Sequence, residues 1–279
     1  MEKKSWNDRK KVGQAKVAKG GNKLSQDDKI HGRIRKELSR AWAIAWKDIR
    51  AYYASPPTLM FGILFPFALF FTFTIGRNLS VEQMLPILFA QTVFWASSTV
   101  GPVVIPLERR MKTFDRYLSA PMSLMSVILG KSMAGFLYGL GVSVVPLIVG
   151  FTWFGFSLVA VIPFLLGILL SCVAFAAMGI MFASVPTESV GNIMMPMNFI
   201  RIPLLFISGI FIPITELPPI GQALSLLSPL THTLILIRQG MGNETFLFPT
   251  EVSVLALILT SVVFLFISKQ FHEINKKRE

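Results

Sequence analysis

Residues Glu108–Lys131 read ERRMKTFDRYLSAPMSLMSVILGK, a charged island between two long apolar blocks. It carries Arg109, Arg110, Lys112, Arg116 and Lys131. Short loops rich in Lys and Arg stay on the inner side of a bilayer. The island therefore orients everything around it: the blocks before and after it are membrane spans, and both open inward at this point.

The bulk composition agrees. Hydrophobic residues make up 53% of the 279, charged residues 15%, and the mean hydropathy is +0.60. A soluble domain of this length needs more polar surface. Several apolar runs approach the roughly 20 residues that cross about 30 Å of hydrocarbon. Ten-residue alternating segments of a membrane barrel are not seen. The expected fold is an all-α integral membrane protein of six spans.

The net charge of +12 is uneven: fifteen of the 27 Lys and Arg precede Ser55 and four follow Ser268. A basic tail can bind nucleic acid. Orientation and attraction to anionic lipid headgroups explain it more simply, so no nucleic-acid partner is expected. The single cysteine, Cys172, gives no disulfide and no redox signal. The hydrophilic N-terminus lacks the apolar core of a secretory signal, so the first span is expected to target the chain itself.

Four regions follow. Residues 1–29 are polar and basic, and a disordered inner tail is expected. Residues 30–57 hold a basic amphipathic helix ended by Pro56 and Pro57. Ile34, Leu38, Ala41, Trp42, Ala45, Ile49 and Tyr52 share one face at 100° per residue, and Lys36, Arg40, Lys47 and Arg50 lie opposite. With Trp42 and Trp46, this pattern predicts a helix lying in the membrane interface, in contact with lipid. Residues 58–268 hold the spans, near 58–76, 84–106, 124–150, 158–183, 193–212 and 252–268. Residues 269–279 are a basic inner tail. A short helix is expected over 109–118, limited by Pro121. The proline-rich segment 213–242 is too broken to span and is read as two short helices dipping in from the outer side. Two sequons, at Asn78 and Asn243, fall outside in this arrangement.

Catalytic chemistry is hard to assemble. The three histidines, His31, His232 and His272, are dispersed, and no metal constellation is expected. No span has an interior Asp or Glu of the kind proton-coupled transport uses. Gly130–Lys131–Ser132 imitates the end of a P-loop, but the position needing glycine is Met125, so the chain is expected to bind no cofactor and no ATP. Arg201 is the one charge deep in a span. It either lines a route for a polar or anionic group or makes a structural pair with a carbonyl or Asn198. Phe94, Trp95, Asn198 and Arg201 are the candidates for a substrate path. Gly135 and Gly139 form a G-x-x-x-G suited to close helix packing. Met194, Met195 and Met197 supply packing or an adaptable surface.

Two stretches resemble the ABC-2 class of ABC transporter permeases. In the island, Glu108, Thr113, Asp115, Arg116, Leu118 and Pro121 fit the motif before the third span, with Lys112 where a glycine is usual. The stretch SGIFIPITELPPIGQALSLLSPLTHTLILIR is similar to the signature between the last two spans. It matches at Ser208, Gly209, Pro213, Leu217, Pro218, Leu224, Pro229, Leu230 and Arg238. The resemblance covers about residues 34–268. It implies two permease subunits served by two copies of a separate ABC ATPase that holds ATP and Mg. It implies a coupling helix from Glu108, Arg109, Arg110, Thr113, Asp115, Arg116 and Leu118, and a second ATPase contact through the amphipathic helix. It also implies re-entrant helices near the exit and a role in export. The short outer loops resemble small drug- and antibiotic-resistance permeases of the cell membrane; lipid-linked glycan export is the alternative. A lipid-modifying membrane enzyme and a membrane anchor are the readings from other classes.

Overall fold

The computed structural model describes residues 35–53, 56–75, 80–119, 122–155, 158–242 and 248–276. Every regular element among them is helical. The expected tail 1–29, Pro121, both sequon asparagines and residues 277–279 lie outside the described residues. The chain divides into two compact units, Met1–Arg40 and Ala41–Glu279. Of the first, only residues 35–40 are described; they are helical, with Arg40 paired to Glu37 at 3.5 Å.

The helix over 35–52 is α1. The first expected span follows as α2 (Pro56–Leu59), a π turn (Met60–Leu64) and α3 (Phe65–Thr74). Pro66 has no N–H for the carbonyl of residue 62, and its ring crowds that carbonyl; the wider π turn relieves both. The uninterrupted apolar part is consequently short, Gly62–Thr74. Among the described residues, five single helices are long and apolar enough to cross a membrane, and a bent pair would make a sixth. The five are α4 (Val81–Arg110), α6 (Leu124–Trp153), α7 (Val161–Ala183), α8 (Val190–Ile207) and α11 (Thr250–Lys276). The short α5 (Phe114–Ser119) lies between α4 and α6. The expected first span thus forms a helix, but a shorter and broken one.

The ends differ from the apolar runs because caps set them. Ser80 and Gln83 make a reciprocal capping box that starts α4 before its apolar run. Ser123 accepts from the Ser126 N–H to start α6. The fifth span stops at Ile207 rather than 212. Gly209 adopts φ +82, which only glycine takes readily, and a Cβ there would meet Ile214 at 3.0 Å.

α4 is the axis: its apolar window is wholly buried. α6 and α7 approach it at small residues. A Cβ on Gly135 would lie 2.8 Å from the Ser97 carbonyl, one on Gly139 would overlap the Ser97 hydroxyl, and one on Gly179 would lie 2.5 Å from the Ser98 carbonyl. The G-x-x-x-G therefore does pack closely. Phe89, Phe94, Trp95, Phe164 and Phe175 fill the core around this axis. Thr92, Ser98 and Thr99 return their hydroxyls to carbonyls one turn back, which satisfies these three hydroxyls in an apolar surrounding.

The broken segment forms two short helices, as its prolines predict. A 3₁₀ turn (Ile214–Glu216) leads to α9 (Pro219–Leu227) and α10 (Pro229–Gly240), bent 77° to each other. Pro229 starts α10 directly after Ser228, and a helix cannot run through that junction.

Candidate functional site

A buried charge cluster sits where α1, α4, α5 and α6 meet. Lys131 of α6 donates to Asp48 of α1 at 2.8 Å and also to Glu108 near the end of α4. Lys131, Asp48 and Glu108 are all closed to solvent. Lys47, half-buried, pairs with Glu108, lies 2.7 Å from the other Asp48 oxygen, and donates to the Tyr117 hydroxyl at 2.8 Å. Two lysines thus balance two carboxylates. Burial alone lowers the Lys47 pKa, but Asp48, Glu108 and Tyr117 together raise it above the ordinary lysine value. Burial likewise pushes the Tyr117 hydroxyl up. Below these, Tyr53 donates to the Ala134 carbonyl at 2.6 Å and stands edge-on to Tyr138, whose hydroxyl reaches the Thr58 carbonyl.

This arrangement divides the expected coupling residues. Glu108 is sealed inside the cluster, so its carboxylate is not on the exposed face of the island. Arg109 lies over the Phe114 ring and donates to the Val185 carbonyl in the α7–α8 turn. Thr113 returns its hydroxyl to the Glu108 carbonyl. Arg110 and Arg116 are exposed. Asp115 and Leu118 belong to α5, but their side chains lie outside what the structure describes. Lys112 takes the left-handed φ of +57 and reaches Glu188, also in the α7–α8 turn, at 3.1 Å.

On α1 the faces differ from the two expected. Ala41, Ile44, Ala45 and Asp48 form the buried stripe. Trp42 and Trp46 are about half exposed and stack at 6.3 Å, with Arg50 over Trp46 at 5.1 Å. Lys36 is exposed. Lys47, placed by spacing on the polar face, instead turns inward because Asp48 and Glu108 attract it. Asp48 itself was missed. Its signal is its place in the buried stripe with Ala41, Ile44 and Ala45, at i, i+3, i+4 and i+7.

Arg201 is fully buried on α8. It donates to the Ser98 hydroxyl at 2.6 Å, to Thr99 at 3.3 Å and to Asn198 at 3.5 Å, and lies over the Trp95 ring at 4.9 Å. The structural alternative named Asn198; the α4 hydroxyls are additional partners, about a hundred positions away in sequence. Phe94 and Trp95 are buried core rings, edge-on to Phe175 and Phe65. They are not exposed along a path in this chain.

The signature residues act as joints at the opposite end. Ser208 caps α8 by donating to the Leu205 carbonyl, Gly209 makes the turn, and Arg238 reaches back from α10 to the Gly209 carbonyl at 3.3 Å. Pro213 and Pro218 precede the 3₁₀ turn and α9, and Pro229 opens α10. Leu230 is buried, while Leu224 is half exposed.

No individual curated protein matches the sequence. A family does: the model described as "ABC-2 type transporter" matches residues 39–241, from α1 through α10. The chain therefore belongs to the ABC-2 type transporter family, as the membrane component of an ABC transporter.

Proposed function

We propose that this chain is the permease subunit of an ATP-driven exporter of amphiphilic, drug-like or lipidic molecules. Two copies form the pathway, and two separate ABC ATPase subunits, which hold ATP and Mg, dock on the island. The termini and the island face the cytoplasm of a cell membrane.

One observation carries this reading. The island is attached rigidly to its surroundings while its outer face stays free. The charge cluster fastens α4 and α5 to α1 and α6. Arg110 and Arg116 remain exposed, suited to acidic groups on a partner. Displacement of the island is passed on through Arg109–Val185 and Lys112–Glu188 to the turn that opens α8. α8 is sparsely packed, with 28% of its apolar window buried, and Pro196 and Pro203 lie within it. Such a helix can change position without dismantling the core. The partner biases inward and outward states only by binding one more tightly than the other.

The test is reconstitution of the chain with its co-purified ATPase in liposomes. ATP hydrolysis stimulated by an amphiphile, and lost on Arg110→Glu with Arg116→Glu in a folded chain, supports the proposal. Hydrolysis indifferent to both changes refutes the coupling role.

A further inference from the structure

Lys131 and Arg201 are both fully buried cations, but they are treated differently. Lys131 is met by two carboxylates. Arg201, which keeps its charge at any physiological pH, meets only neutral groups. Its partners are two hydroxyls, one amide oxygen and an aromatic face, and among the described residues no carboxylate lies within ion-pair distance. Its Nε has no partner. A neutral residue could link α8 to α4 with far less desolvation, so a structural link does not account for a guanidinium here.

The facing surface of α4 is also incomplete. Gln91, Trp95 and Ser98 follow at i, i+4 and i+7 on one helix face. Both amide atoms of Gln91 and the indole Nε1 of Trp95 are buried without partners. The Gln91 amide N–H and the Trp95 indole N–H are donors left over on the helix face that also carries Ser98, a partner of the uncompensated guanidinium, and an anion is what such donors lack, because a phosphate or carboxylate accepts the fork of Arg and N–H groups together. Access comes from the other side of the contact. α8 has little of its apolar window buried, it carries prolines on both sides of Arg201, and the turn that precedes it is strapped to the island.

We infer that the α4–α8 seam around Arg201 is a binding subsite for the anionic head group of an amphiphile, admitted when α8 parts from α4. This rests on the exporter reading for its purpose, and it names the substrate class that reading leaves open.

The test is binding to the full chain in phosphatidylcholine nanodiscs, without nucleotide or ATPase. The probe is dodecyl phosphate, compared with dodecyl maltoside as the neutral amphiphile and inorganic phosphate as the free anion. Dodecyl phosphate is expected to bind saturably and at least about tenfold more tightly than either control. Arg201→Gln abolishes that preference, Arg201→Lys keeps only part of it because the charge remains but the fork is lost, and Arg238→Gln leaves it unchanged. If Arg201→Gln does not fold, Gln91→Leu is the second variant, with an expected loss of about threefold. Equal binding of the maltoside, equal binding of inorganic phosphate, or an undiminished preference in Arg201→Gln or Gln91→Leu overturns the proposal. Failure of the exporter reading looks different: selective binding through Arg201 in a chain that recruits no ATPase refutes the exporter and leaves the subsite.

Discussion

Lys131 and Glu108, 23 positions apart, meet in a site closed to solvent, and Asp48 of α1 completes it. This contact joins α1, the end of α4 and the start of α6 into one body.

Breaking that contact on one side should be costly. Lys131→Met leaves Asp48 and Glu108 with Lys47 as the only described cation, and removing one partner of a buried pair costs about 3–5 kcal/mol. The expected outcome is a clear fall in melting temperature in detergent. Lys131→Met with Asp48→Asn restores the charge balance and should recover more than half of the loss. A single mutant as stable as the parent shows that the cluster is not structural.

Lys112 holds the left-handed φ of +57 at the break between α4 and α5. This conformation disfavours a side chain by about 1–2 kcal/mol. Lys112→Gly removes that strain and also the exposed pair with Glu188, which is worth about 0–1 kcal/mol. A net gain of about 1 kcal/mol is expected in thermal denaturation. Because the strap to the α7–α8 turn is weakened, coupling should fall while stability rises. A destabilised variant contradicts the backbone argument.

Gly139 faces Ser97 with no room for a methyl group. Gly139→Val forces α6 away from α4, at a cost of about 1–3 kcal/mol or more. Gly141, where a Cβ meets nothing within 4 Å, is the control in the same helix. Gly141→Ala should be neutral or slightly stabilising by melting temperature. Equal effects at both positions rule out close packing as the reason for the glycines.

Gly209→Ala tests the joint after α8. A φ of +82 is strained for alanine, and the Cβ would crowd Ile214. A loss of about 1–2 kcal/mol is expected, visible as a lower melting temperature. A stable Gly209→Ala chain shows that α8 does not end by this turn.

Much of the fold was legible because hydrocarbon imposes long apolar runs, and the bent pair was legible because prolines at 218, 219 and 229 forbid one straight helix. Helix ends were not, since Ser80, Gln83 and Ser123 act by hydrogen bonding rather than by hydropathy. The π turn at Met60–Leu64 was not, since its sequence is as apolar as a regular helix. In the site, charge type was legible and pairing was not. Periodicity puts Lys47 opposite the apolar stripe, yet partners from α4 and α5, 61 and 70 positions away, draw it inward. Glu108 was expected on the exposed face of the island and lies beneath it. Arg201 stood out alone in its span, but Ser98 and Thr99 become its partners only when α4 and α8 are side by side.

Affinity purification of the tagged chain in mild detergent, assayed for ATP hydrolysis, tests the central claim most directly. The expected result is an ABC ATPase subunit at about equal stoichiometry, retained in Lys112→Gly and lost in Arg110→Glu with Arg116→Glu although that chain stays folded. A pure, folded chain with no partner and no hydrolysis, under conditions that hold other membrane complexes together, contradicts it.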